Sequence, residues 1–358
     1  MNIGGVDIDS IDLDNSDFVL PDVVQGRWLN ADADIYAYNC AGNDDTTHEE
    51  VVFNIKSMVA GRMQAGGATQ YILQFTGDGS DKGKRHEVAC LKKYQIGRED
   101  KPKPKNLAFV RQYIKTNMQS CGHWDQEADD GLAQFQQKFI DAGEIHLCVL
   151  DSSDKDLRMV AGLHLDPDTD KIIEVKGFGS CWYDSGKSKT TGWGTSFFWH
   201  QLLMGDGADD IPGLPAFGRR LSYTRWPTAP LKEQLRRVSQ CTMPSGKQLN
   251  SKQQRAAEDK MYELRANFKC KSVGAVGAYE YLLGVDNDKA AYDLVLAAYE
   301  SHYGTEEFQF TDWRDNTYTR TAKQMMLEQA VLLWMRRKNS ITDVLDFFNE
   351  VNNDKTSS

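Results

Sequence analysis

The chain has 358 residues, room for one large domain or two modest ones around a sizeable core, and its 40% hydrophobic and 26% charged residues are those of a soluble globular protein. No apolar run approaches the roughly 20 residues that span a bilayer, the acidic start MNIGGVDIDSIDLDNSD lacks the basic-then-apolar order of a secretion signal, and seven scattered cysteines without CxxC exclude a zinc knuckle or disulfide framework and favour a reducing cytoplasm. The net charge of −10 argues against a polyanionic partner unless the charges are segregated, and they are.

In chain order, residues 1–24 read as an acidic tail with little to bury, carrying Asp7, Asp9, Asp12, Asp14 and Asp17. A buried strand is expected at 27–38 (RWLNADADIYAY), a helix at 49–64 and a second strand at 70–75 (QYILQF). The stretch 82–115 then holds eleven Lys and Arg against three acids. Helices come next at 107–118 and at 128–140, the latter with Leu132, Phe135 and Phe139 on one face, and a third strand at 145–150 (IHLCVL). DSGKSKTTGWG lacks the full GxxxxGK[ST] pattern of a phosphate loop and reads as a hairpin. After residue 200 the pattern turns helical, with candidates at 231–238, 253–266, 275–283, 290–302 and 322–338 and a polar end at 352–358. A second basic stretch, 219–271, sets thirteen Lys and Arg against four acids. Strands alternating with helices imply an α/β fold around a mainly parallel sheet.

The residues just after each strand carry the chemistry. NADAD supplies Asp32 and Asp34, TGDG supplies Asp78, and DSSDKD supplies Asp151, Asp154 and Asp156. EADD opens the helix at 128 with Glu127, Asp129 and Asp130, and GDGADDIPG supplies Asp206, Asp209 and Asp210. Open α/β sheets bind ligands outside the carboxyl ends of their strands, so acids placed there independently converge in one cleft. Converging carboxylates repel and take up protons unless cations compensate them. Hard divalent ions with oxygen ligands are the natural partners, Mg²⁺ above all, and two of them about 4 Å apart clamp a phosphodiester undergoing hydrolysis. Singly, each motif has a plainer reading: EADD complements a helix dipole, and DSSDKD and GDGADDIPG suit turns. The seven histidines show no metal-ligand spacing, and Trp182, Trp193 and Trp199 read as packing residues.

In their order these motifs resemble the 5′ nuclease superfamily: flap endonucleases, the 5′ nuclease domain of bacterial DNA polymerase I and phage 5′–3′ exonucleases. The resemblance runs from about Trp28 to Leu283 with a large interruption, and continues more weakly through EQAVLLWMRR. It implies a PIN-like α/β fold with a helical arch and a C-terminal helix–three-turn–helix region. The implied division is a tail at 1–24, a nuclease core at 25–204 with an arch at about 82–118, a DNA-binding element at 205–290 with a basic insertion at about 216–271, and a helical region at 291–358.

By the same resemblance Asp32, Asp78, Glu127, Asp129 and Asp130 belong to a first metal site, with Asp81 a rival to Asp78. Asp154, Asp156, Asp206 and Asp209 belong to a second, with Asp210 standing where the family has Asn. Lys84 and Arg85 would neutralise the scissile phosphate, and Tyr94 and Arg98 match a tyrosine–lysine–x–asparagine–arginine string in which Gln95 and Gly97 depart from the family. Lys92 and Lys93 would contact DNA, and Gly213, Gly274 and Gly277 would bring backbone N–H groups to duplex phosphates. The implied activity is hydrolysis of DNA with a 5′ end, leaving 5′-phosphates. It would use two Mg²⁺ ions, replaceable by Mn²⁺, in a cytoplasmic monomer, with replication proteins as further partners. The rival readings are a PIN-type ribonuclease and a non-catalytic nucleic-acid-binding protein of the same fold.

Overall fold

The computed structural model describes residues 2–3, 6–7, 21–96, 102–184, 186–187, 189–214 and 273–353. Most of the acidic tail, Arg98, the basic insertion with its two expected helices, and residues 354–358 lie outside the described residues. Within the tail, β1 (Asn2–Ile3) and β2 (Val6–Asp7) pair antiparallel.

A six-stranded sheet organises the chain. It contains β3 (Trp28–Asp32), β4 (Gln70–Thr76), β5 (Ser120–His123), β6 (Cys148–Asp151), β7 (Gly162–Leu165) and β8 (Ile172–Val175), in the order β5-β4-β3-β6-β7-β8. Every pairing is parallel except β7 with β8. The chain fills the sheet outward from β3 on one side, then returns to β3's other edge with β6. The switch in strand order therefore falls between β3 and β6, and a crevice opens at their carboxyl ends.

The strand expected over 27–38 is shorter than its apolar pattern suggests. Asp32 ends it by capping α1 (Ala33–Cys40): its Oδ1 accepts from the amides of Asp34 and Ile35 at 3.0 and 3.1 Å. A short acidic side chain bonds its own backbone better at a helix start than within a sheet ladder. Likewise the strand expected over 145–150 begins only at Cys148, after a 3-10 turn at Ile145–Leu147. The helices α2 (His48–Ala65), α4 (Leu107–Asn117) and α5 (Ala128–Asp141) stand where the periodicity puts them. Between β4 and α4 lies the four-residue helix α3 (Arg85–Val88). Since Val110 and Ile114 are buried beside Leu73 and Ile55, the α4 part of the 82–118 segment is a wall of the core.

A row of buried amides sets the position of α5 on the sheet. Asn30 donates to the Leu132 carbonyl at 2.9 Å, Gln74 donates to Asn30 at 3.1 Å, and the His123 ring meets Gln74 Oε1 at 2.8 Å. Asn30, Gln74 and His123 are paired with one another or with the α5 backbone, so the ladder fixes register at little desolvation cost.

DSGKSKTTGWG forms the expected hairpin, β9 (Ser180–Asp184) with β10 (Lys189–Trp193), and leads into α6 (Thr195–Met204). The last described segment holds α7 (Gly274–Tyr281), α8 (Asp288–Tyr303), α9 (Ala322–Leu333) and α10 (Asp343–Asn353). The hairpin β11 (Phe308–Thr311) with β12 (Thr317–Arg320) and the helix α10 are not among the expected elements, although Val344, Phe348 and Val351 recur at helical spacing in α10. The helix expected to reach residue 338 stops at Leu333, because the backbone at Trp334 and Arg336 bonds Arg85 and Asp130 instead. Among the described residues no helix is long and apolar enough to cross a membrane.

These C-terminal helices share one apolar core with α6. Phe198 meets Trp334 edge-on at 4.9 Å and Trp199 stacks on Phe348 at 5.5 Å. The indole N–H groups are satisfied too, Trp199 by Asp288 and Trp334 by Asp343, both at 2.7 Å. Because Phe348 is buried in α10 against α6, Phe348→Ala is expected to cost about 3–5 kcal/mol. Urea unfolding followed by tryptophan fluorescence and by far-ultraviolet dichroism should give one coincident transition, shifted in the variant; an early, separate fluorescence transition would contradict a shared core.

Candidate metal centre

Three chain segments meet at the switch point. From β3 comes Asp32, whose second oxygen accepts from the Ser152 hydroxyl at 3.0 Å. That hydroxyl also accepts from the Asp154 amide at 3.0 Å, so one serine ties the end of β3 to the turn after β6. Asp154 caps the 3-10 turn Lys155–Met159 by accepting from the Asp156 amide at 2.8 Å. From above the sheet comes the start of α5, held by the Ala128 amide on Thr76 Oγ1 at 3.0 Å.

Glu127, Asp129, Asp154, Asp32 and Asp34 line an open cavity of about 600 Å³. Burial pushes the Asp32 carboxyl up to about 7, with Asp34 and Asp154 adding to the effect of burial. Asp129 is raised well above the carboxylate range, first by burial and then by Asp154, Asp32 and Glu127. Asp32 and Asp129 are thus short of nearby positive charge, and the donors around them are all hard oxygens, the kind a divalent cation takes.

Asp130, one residue from Asp129, has a different fate. It is fully buried and takes a two-pronged ion pair from Arg85, at 2.7 and 2.8 Å. Although burial opposes its charge, Arg85 holds its carboxyl below the usual range. Arg85 is 1% exposed, and it also donates to the carbonyls of Leu332 and Trp334 and lies 3.1 Å from Glu127.

A second group of acids lies beyond Asp154. Carboxylate oxygens of Asp156, Asp206 and Asp209 lie within 4.8 Å of one another. Asp156 is raised well above its ordinary value by burial, Asp154 and Asp206, and it accepts from Gln201 at 2.5 Å. Asp206 is also partly desolvated, but Lys155 and Asp156 hold its carboxyl low. The loop that presents it closes on itself: the Asp206 and Ile211 backbones exchange two hydrogen bonds of 2.8 Å. Gly205 and Gly213 make that closure possible, both at positive φ, and a Cβ on Gly213 would stand 2.3 Å from the Gly205 nitrogen.

Gln95 joins the two groups, since its amide donates to Asp209 at 3.0 Å and to Glu127 at 3.2 Å while its oxygen accepts from Lys82. Tyr94 donates to Glu127 at 2.9 Å, and burial followed by Glu127 raises its phenol well above its usual value. Lys82, Lys103 and Arg111 complete the cavity wall with positive charge.

The structure therefore brings together Asp32, Glu127, Asp129 and Asp154, and beside them Asp156, Asp206 and Asp209. Asp78 is elsewhere: its side chain is 78% exposed and pairs with Lys115 at 2.7 Å. Asp34 lines the cavity in its stead, bonded to Arg111 at 2.5 Å and to the Thr76 amide at 2.9 Å. Arg85, expected at the phosphate, is enclosed with Asp130, so neither side chain faces the cavity. Lys84 is exposed, Lys92 pairs with Asp210 at 2.6 Å, and Lys93 is on the same short connection. The Gly213 amide is buried and donates to Gln329 at 3.1 Å, so it is not offered to a phosphate. Gly274 opens α7 at positive φ, with Gly277 one turn on. Arg111 and Lys155 do not stand out in the sequence as members of a site; for Lys155 the signal is its place between two acids in DKD, while nothing local marks Arg111.

No family model matches the chain, and no curated protein matches it. Among solved structures it is similar to the 5′-exonuclease of bacteriophage T5 with bound zinc, at 14% identity and a TM-score of 0.43, over 92% of this chain and 98% of that one. It is also similar to the bacteriophage T5 D15 flap endonuclease in a complex with DNA and metal ions, at 16% identity and a TM-score of 0.39, over 76% and 99%.

The site has two consequences for stability. Removing one partner of the enclosed pair, as in Arg85→Ala, leaves Asp130 buried and uncompensated and is expected to cost about 3–5 kcal/mol. Combining it with Asp130→Leu should return part of that loss in urea unfolding; a double variant worse than the single one would refute the account. The second effect is linked to pH. Asp32 binds a proton more tightly folded than unfolded, so its contribution is full below about pH 4 and is lost as pH rises towards about 7. Burial holds His164 and His200 near 4, and they act in the opposite sense over part of this range. They are common to wild type and Asp32→Asn and cancel in a comparison. In EDTA the melting temperature of Asp32→Asn relative to wild type should therefore rise between pH 4 and pH 7; a flat difference would contradict the buried acid.

Proposed function

We propose that this chain is a divalent-cation-dependent 5′ nuclease acting on DNA. One observation carries the reading. Seven carboxylates from β3, the turn after β6, the start of α5 and the loop after α6 gather at the switch point of a parallel sheet, beside a cavity walled by Lys82, Lys103 and Arg111. Turn or helix-cap preferences account for each acid separately, but not for their gathering in one place beside basic side chains.

In this reading Glu127, Asp129, Asp154 and Asp32 hold one cation, and Asp156, Asp206 and Asp209 hold a second. Mg²⁺ is the working ion, with Mn²⁺ able to replace it. Such ions supply Lewis acidity and a clamp on the attacking and leaving oxygens of a phosphodiester, which ends with a 5′-phosphate on one product. The residues of this chain do the rest. Tyr94 and Gln95 hold the Glu127 carboxylate in one orientation. Lys82, Lys103 and Arg111 take the charge of the phosphates, a role in which fixed cations stabilise developing negative charge. Lys84, Lys92 and Lys93 track a single-stranded 5′ end, and the start of α7 at Gly274 and Gly277 contacts duplex. The protein works as a monomer in the cytoplasm, with replication proteins as partners.

The test uses 5′- and 3′-labelled duplex and 5′-flap DNA, with Mg²⁺ or EDTA, beside Asp154→Asn/Asp156→Asn. Wild type should release 5′ label only with Mg²⁺, and the double variant should lose at least about a thousandfold in rate, several kcal/mol of transition-state stabilisation. Product lengths distinguish stepwise trimming from flap removal. Cleavage that persists in EDTA and in the double variant would refute the assignment, and preference for an RNA substrate would move it to a ribonuclease.

A further inference from the structure

The Asp156–Asp206–Asp209 group already contains a cation that belongs to the chain. The Lys155 ammonium lies 2.8 Å from Asp156 Oδ1 and 2.6 Å from Asp206 Oδ2. These are two of the three carboxylates whose oxygens lie within 4.8 Å of one another. The placement comes from the backbone. Lys155 starts the 3-10 turn that Asp154 caps, and Gln201 and the Asp206–Ile211 closure fix the carboxylates it reaches. The lysine is not locked in place, however. Its side chain is 44% exposed, and a four-carbon stem can carry its charge into water at little steric cost.

We propose that Lys155 is a resident counter-ion of this acid group, so that a divalent cation enters the second site only by displacing its ammonium. This rests on the nuclease reading, which assigns the acids to metal binding. It adds that the two sites are unequal by construction. Among the described residues no lysine bridges the acids of the site formed by Glu127, Asp129, Asp154 and Asp32 in this way, Arg85 touching Glu127 alone while its fork is held by Asp130, and this site fills first. The other fills at higher cation concentration, because the entering ion must break two charge-assisted contacts. Once displaced, the ammonium is free to swing into solvent, so occupancy of the second site also sets where this charge resides.

Mn²⁺ binding to the full-length protein, counted from the electron paramagnetic resonance signal of the free ion, reads this without activity. Wild type should show one tight ion and a second bound at least about tenfold more weakly, a conservative discount on the screened attraction between close charges. Lys155→Met keeps the stem and removes the charge; it should tighten the weaker constant by about tenfold and leave the tighter one in place. Lys155→Arg keeps the charge and should not tighten it. As a check that needs no binding curve, Mn²⁺ should raise the melting temperature of Lys155→Met more than that of wild type, because that variant lacks its counter-ion in EDTA. Equal constants in wild type and Lys155→Met, or tightening in Lys155→Arg as well, would overturn the proposal while leaving the nuclease reading intact. Absence of specific Mn²⁺ binding in every variant would overturn both.

Discussion

Arg85 and Asp130 meet out of water, and three distant stretches of chain are arranged around their contact. The guanidinium grips the first turn of α5 through Asp130 and Glu127, and the end of α9 through the carbonyls of Leu332 and Trp334. Asp130 in turn accepts from the Arg336 amide at 3.1 Å. A buried pair of this kind contributes little net stability over well-packed apolar groups, because desolvating both charges is expensive. It contributes direction instead. The planar fork accepts one orientation of the carboxylate, which fixes the start of α5 and, with it, the side on which Glu127 and Asp129 stand.

That direction matters because the acids in front of it oppose their own assembly. Asp32 and Asp129 are pushed towards the protonated form by burial and by their neighbours. Only a scaffold stabilised elsewhere can hold them close. The aromatic core around Trp199, Trp334 and Phe348 is one such support, and the amide ladder of Asn30 and Gln74 is another, set right beside the acids because Gln74 stands opposite Asp32 in the sheet. Local relief comes from the Ser152 hydroxyl, the amides at the start of α1 and the Lys155 ammonium. The cost of gathering charge is thus offset partly by apolar packing in the C-terminal helices and partly by polar contacts at the acids themselves.

The sequence disclosed the periodic and the punctuated parts of this arrangement. The apolar runs of β3, β4 and β6 and the helical spacing of α2, α4 and α5 are legible from side-chain period alone. Acids directly after strands can be placed at the mouth of a parallel sheet from their positions in the chain. What local pattern cannot disclose is pairing across more than two hundred residues. Arg85 lies in a basic run and is expected at the phosphate, and only the backbone of 332–336 shows that it is enclosed. Asp78 is expected at the metal and Asp34 is not singled out, and only α4, by presenting Arg111 and Lys115, shows Asp34 at the cavity and Asp78 outside it. Gly213 has the composition of a phosphate-binding turn, yet Gln329 from α9 takes its amide.

The same long-range logic explains why an amide serves at position 95. Gln95 must donate to Glu127 and Asp209 and also accept from Lys82, and a neutral carboxamide is the side chain that offers both functions at one end. A lysine there could satisfy the two acids but would confront Lys82 with a like charge. With Gln95 as intermediary, the positive charge moves to Lys82 at the cavity wall. The turn that carries Lys82 is itself dictated from afar. Gly83 has a φ of 65°, and a Cβ there would stand 2.2 Å from the Arg336 guanidinium, which bonds the Gly83 carbonyl. Arg336 is also the residue whose amide completes the shell of Asp130. The cation at the cavity wall and the ion pair behind it are therefore positioned by one backbone segment, so a change at the Arg336 side chain would disturb the charge that faces the cavity without replacing any of its acids.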